Sequence, residues 1–160
     1  MVRELMVFDT GKPVRSDYTA TTAMVTGMGV VDDDANGKVK FPTAATADGL
    51  YLVERERIAS GIYASVTNMD DYDEHYTKIA AGEFVEKIPM VAGEVYAVDQ
   101  YASTIVKTDA GKYLAVDTDG KWALAASTVA SRYVMVGLVT EGTHTLLKFK
   151  VCSETGKNAA

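Results

Sequence analysis

Two near-copies of one turn do most to limit how this chain folds. The first reads Asp-Ala-Asn-Gly-Lys at residues 34–38 and the second Asp-Thr-Asp-Gly-Lys at residues 117–121. Asn-Gly and Asp-Gly are the pairs that tight hairpins favour, because both residues tolerate positive φ at little cost. Short apolar runs flank each turn: "GMGVV" and "KVKF" around the first, "KYLAV" and "KWALAA" around the second. Runs this short, punctuated by Gly, Asn and Asp, describe the strands of a β-sandwich or barrel.

The likeness extends beyond the turns. Residues 26–53 and 108–136 each carry a Thr, a Gly three residues later, an apolar strand, the acidic turn, a second apolar strand, an Ala/Thr linker and a Tyr-containing strand. One single-residue gap aligns them. The echo reads either as a duplicated β unit or as the chance product of a chain rich in Ala, Thr and Gly.

The first turn also spells part of a calcium loop, with Asp32, Asp34, Asn36 and Gly37 at its positions 1, 3, 5 and 6. A helical calcium loop needs a bidentate Glu at position 12. That position is Thr43, and a strand and a proline follow Gly37 where a helix would be required. The matching turn has Ala115 where the first ligand would sit. A hairpin is therefore the expected role of both turns, and no metal is expected.

With 160 residues, 48% of them hydrophobic, the chain suits one self-supporting domain. Its net charge of −6 disfavours a nucleic-acid backbone as partner, since phosphate binding needs clustered Lys and Arg. Cys152 is the only cysteine, so the fold needs no disulfide. No apolar run reaches secretory-signal or membrane-span length, and neither a membrane nor a nucleic acid is expected as partner.

Three regions follow: an irregular N-terminal arm over residues 1–22, one β-rich domain over residues 23–152, and a flexible polar tail over residues 153–160. The arm carries Leu5, Met6, Phe8 and Tyr18, apolar groups that need something to lie against and are the candidate partner contacts. One short helix is expected over residues 70–81. Asn68 would cap it, acidic residues fill its first turn, Met69, Tyr72, Tyr76, Ile79 and Ala80 keep helical spacing, and Gly82 would end it.

Chemistry-bearing residues are sparse. His75 and His144 are the only histidines, the acidic run from Asp70 to Glu74 suits a solvated helix start, and no G-x-S-x-G motif is present. Asp9-Thr10-Gly11 spells an aspartic-protease triplet, but Lys12, Pro13 and Arg15 stand where apolar residues should follow. No catalytic residue and no cofactor are expected. Trp122 with Tyr51, Tyr63, Tyr96, Tyr101, Tyr113 and Tyr133 would serve either as a sugar-binding face or as core and cross-strand pairs.

The second half, in "IPMVAGEVYAVDQYA", "YLAVDTDGKWALAA" and "YVMVGLVTEGTHTLLKFKV", resembles the small β-rich head proteins of tailed bacteriophages, above all the capsid decoration, or cement, proteins. The resemblance lies in texture: short strands, Ala/Thr/Gly linkers and a closing apolar strand. It implies an antiparallel β-barrel, tulip-like or sandwich core, a homo-oligomer with a trimer favoured, and no active site. It also implies a major capsid protein as partner and a place on the outer capsid surface of a virion, after synthesis in a bacterial host's cytoplasm. The competing expectations are a carbohydrate- or surface-binding β-module, which needs Trp122 or a tyrosine row exposed, and a tail-tube or head-completion subunit.

Overall fold

The short apolar runs fold as short strands. The computed structural model describes residues 2–6, 17–54, 78–142 and 144–160, the first group by its backbone. The strands are β1 (Val2–Met6), β2 (Thr19–Ala20), β3 (Met24–Val25), β4 (Gly29–Asp33), β5 (Lys38–Lys40), β6 (Tyr51–Val53), β7 (Lys78–Ile79), β8 (Lys87–Pro89), β9 (Val95–Val98), β10 (Tyr113–Val116), β11 (Trp122–Leu124), β12 (Ser131–Glu141) and β13 (His144–Gly156). A single 3-10 turn at Lys107–Asp109 precedes β10. The chain is mainly β, as its sequence leads one to expect.

Two sheets carry the architecture. One runs β2-β5-β4-β6-β8 and the other β1-β9-β13-β12-β10-β11, while β3 and β7 form a separate pair. Among the described residues the pairings of named strands are antiparallel, as expected, except β2 with β5, which is parallel, as is the single bridge of Tyr101 with Trp122. The first sheet curls until its ends meet. Thr19 bridges Phe84, just before β8, with Ala20 N donating to Glu83 O at 2.8 Å and Val85 N to Tyr18 O at 3.0 Å. The second also closes, because the chain leaving β9 reaches β11: Tyr101 bridges Trp122, and Ala102 N donates to Trp122 O at 2.8 Å.

The two rings share one connectivity. In each, a hairpin's first strand (β4, β10) pairs on its other side with a third strand (β6, β12), and that strand pairs with a fourth (β8, β13). An earlier segment (β2, Tyr101) lies parallel to the hairpin's second strand. The registers agree too. Val30 faces Tyr51 as Leu114 faces Tyr133, and Asp32 faces Val39 as Val116 faces Trp122. Gly27 N donates to Val53 O and Val53 N to Met28 O, both at 2.9 Å; Gly111 N donates to Met135 O at 2.8 Å and Met135 N to Lys112 O at 2.9 Å. Gly27 and Gly111, at φ 98° and 88°, make the same turn into the hairpin. The sequence alignment, which sets Gly29 against Gly111, is therefore two residues off at that point.

Side chains from both rings fill the larger core. Trp122, Tyr96, Tyr133 and Phe149 are fully buried or nearly so, and Trp122 stacks on Phe149 with centroids 4.4 Å apart and meets Tyr133 edge-on at 5.1 Å. Leu52 and Ile88 of the first ring join this cluster. A smaller core of Ala20, Met24, Val30, Val39, Val53, Ile79 and Val85 fills the first ring. Where the rings touch, a Cβ on Gly29 would come within 2.2 Å of Val116, so only glycine fits.

Three sequence expectations change. The helix over residues 70–81 is not present at its described end: Lys78–Ile79 is strand β7, paired with β3, because Ile79 belongs to the first ring's core. Gly82, at φ 87°, serves a tight turn in which Glu83 N donates to Ala80 O at 3.1 Å, rather than a helix end. Residues 70–77 lie outside the described residues. The arm is not irregular throughout, since β1 adds to β9 at the outer edge of the second sheet.

The tail is not loose either. β13 continues to Gly156, which pairs with Ser131. Asn158 Oδ1 then accepts from Tyr113 N at 2.7 Å, and its Nδ2 donates to Tyr113 O at 2.9 Å and to Ala125 O at 2.7 Å. These bonds satisfy backbone groups at the end of β10 and β11. Replacing Asn158 with Ala is expected to cost about 1–3 kcal/mol, which thermal or urea unfolding will show as a cooperative transition displaced downward.

Candidate functional site

Because the rings match position by position, the places where their interiors differ in chemistry stand out. Val53 pairs with Lys87 in the first ring as Met135 pairs with Phe149 in the second. Lys87 thus takes the position of the buried aromatic Phe149. Asp32 likewise takes the position of Val116, and Val39 that of Trp122. The first ring holds a charged pair where the second holds an apolar core.

Lys87 is fully buried, and its Nζ donates to Asp32 Oδ1. The ring of Tyr18 lies 4.4 Å from Nζ and that of Tyr51 4.9 Å. Alternation places them there. Asp32 and Val39 face each other across the hairpin, and Val39 points into the small core, so Asp32 does as well. Val53 shares that core and brings its partner Lys87 to the same side. An ammonium so enclosed needs both a counter-charge and electron-rich faces, and the site supplies each.

The other acids of the turn are engaged around this pair. Asp33 Oδ2 accepts from Asn36 Nδ2 and from Lys40 Nζ, each at 3.1 Å, and these bonds, Asn36 first, hold its carboxyl below the usual range. Asp34 Oδ1 accepts from the Tyr18 hydroxyl at 2.8 Å, which pushes the phenol of Tyr18 above its ordinary value. Val31, Asp32, Asp34, Asp48, Gly49 and Tyr51 line an open groove beside the pair. The calcium-like spacing is thus explained locally: Asp32 turns inward to a lysine, and Asp34 turns to a phenol. Among the described residues no group of three or more His, Cys, Asp or Glu is gathered to hold a metal ion.

The expected partner residues separate. Leu5 and Met6 lie in β1 at the sheet edge. Phe8 lies outside the described residues. Tyr18 packs over Lys87 and is half-buried, a wall of the charged site rather than a free anchor. Beside it, at the seam that closes the first ring, Phe84 is 65% exposed.

Trp122 does not serve a sugar face. It is fully buried, and its Nε1 donates to Gly27 O at 3.1 Å. Tyr96 and Tyr133 are buried with it, and burial raises the phenol of Tyr133 above its ordinary value. Tyr63 and His75 lie outside the described residues. Lys87 escaped the sequence reading because a Lys in "EKIPM" reads as a solvent-facing strand position. Its match to Phe149 comes from strand pairing alone, since 34 residues separate Val53 from Lys87 and 14 separate Met135 from Phe149. No protein-family model, curated protein or solved structure matches this chain. No helix among the described residues is long and apolar enough to cross a membrane.

Removing one member of a buried pair leaves the other charge in the core, at a cost of about 3–5 kcal/mol. Asp32→Val and Lys87→Met are each expected to destabilise on that scale. The double variant restores the apolar chemistry of the second ring and is expected to be more stable than either single one. Urea unfolding of the four chains checks this as a coupling energy.

Proposed function

We propose that this chain is a non-enzymatic structural protein of a tailed-phage virion. In this reading it is a capsid decoration protein that binds the outer surface of the head, bridges capsomers and stabilises the shell. The observation that carries the reading is β1. It is the last strand of its sheet, with β9 as its sheet neighbour among the described residues. An edge strand presents a row of backbone donors and acceptors to any chain that lies beside it. Its sequence brings Leu5 and Met6 to that edge. Phe84 adds an exposed apolar contact elsewhere on the surface.

The remaining support is physical. A net charge of −6 suits the exterior of a shell better than its DNA-facing side. Closed rings of short strands make a rigid body that a lattice can present in many copies, and many modest contacts then add by avidity. The partner is the major capsid protein, with trimers of this chain as the bound unit. Burial of Trp122, Tyr96 and Tyr133 removes three of the seven aromatic residues on which the carbohydrate-binding alternative rests.

The full chain is expected to bind and saturate undecorated heads. A chain lacking residues 1–16 is expected to keep its β circular dichroism and to lose that binding. Co-sedimentation with heads measures both. A truncated chain that still saturates heads overturns the assignment, as does a full chain that assembles alone into tubes.

A further inference from the structure

We infer that Lys87 and Asp32 join covalently, forming an intramolecular amide between β8 and β4 after the chain has folded. The geometry points to it in three ways. The lysine is fully buried and its Nζ already contacts a carboxylate oxygen of Asp32. Tyr18 and Tyr51 cover the ammonium with aromatic faces, at 4.4 and 4.9 Å, which restricts water to the Asp32 side. Asp32 itself lines the open groove, with 11% of its side chain exposed, so a departing water has a way out.

The chemistry balances within the pair. One proton passes from Nζ to the carboxylate along the existing hydrogen bond, leaving a neutral amine beside a neutral carboxylic acid. The amine lone pair attacks the carboxyl carbon, a C–N bond forms, and a C–O bond breaks. A second proton leaves Nζ with the departing hydroxyl. The two protons lost by the ammonium are the two the carboxylate oxygen needs to leave as water. No oxidant, cofactor or second molecule takes part.

In bulk water such a condensation runs backwards, since free amine and acid separate and water is abundant. Here the groups are held together by two strands that flank β6. Well-oriented intramolecular partners reach effective concentrations of roughly 10⁵ M or more, which favours the joined form even with the groove open at Asp32. The bond ties positions 55 residues apart in the sequence, on strands that do not hydrogen-bond to each other. It also accounts for a charged pair where the matching ring keeps an apolar one: Phe149 and Val116 cannot make the bond.

Denaturing mass spectrometry of the purified full chain tests the inference. The expected mass is lower than the encoded one by a single water, and a digest should yield one branched peptide carrying both Asp32 and Lys87. Lys87→Met and Lys87→Arg are each expected at their full encoded mass. The arginine variant keeps the charge, so the outcome stands even if the methionine variant folds poorly. A folded chain at its full encoded mass overturns the inference. So does a water loss that maps to a single unbranched peptide at Asp48-Gly49 or Asp119-Gly120, where an aspartate can close on its own backbone.

Discussion

Sheet closure is the constraint on which the rest of this structure depends. Apart from β12 and β13, the described strands are two to five residues long and bury too little to stand alone, and an open edge of such a sheet invites pairing with other chains. Both rings answer this with a few backbone hydrogen bonds at a seam, Ala20 and Val85 in the first, Ala102 in the second. Once the seams hold, alternation sends every second residue inward, and the two cores follow from sequence. Among the described residues β1 remains the last strand of the second sheet.

Repetition makes the differences informative. Where the second ring packs Trp122, Phe149 and Val116 together, the first sets Val39, Lys87 and Asp32. Smaller residues open the space, and the charged pair with two tyrosine rings fills it. A buried ion pair is poor value as a source of stability when hydrophobic residues of similar volume are available. Its presence at a matched position calls for a role that apolar groups lack, and bond formation is such a role. A covalent tie across β6 resists opening in the ring whose strands are shortest.

The sequence was most legible where local chemistry decides the outcome. The two hairpins followed from Asn-Gly and Asp-Gly, and the β class from short runs between turns. The doubled unit was visible over residues 26–53 and 108–136, although its glycine was misaligned because Gly29 is kept for close approach to Val116 rather than for its φ. The helix at residues 70–81 failed at its described end because tertiary context outweighed spacing: Ile79 is needed in a β core. The tail was misread because Asn158 bonds to residues more than thirty positions away, which no local window reports. Lys87 was invisible for the same reason, since its burial depends on Asp32, Tyr18 and Tyr51 converging from three other segments.

Residue-resolved amide hydrogen exchange on the full chain tests the doubled ring most directly, because it reads the seams themselves. The account predicts that the amides of Ala20 and Val85 at one seam and Ala102 at the other exchange slowly, with protection comparable to that of Val53 and Met135 inside the matched hairpin contacts. Seam amides that exchange as fast as those of residues 159 and 160, while Val53 and Met135 stay protected, would mean open sheets and contradict it.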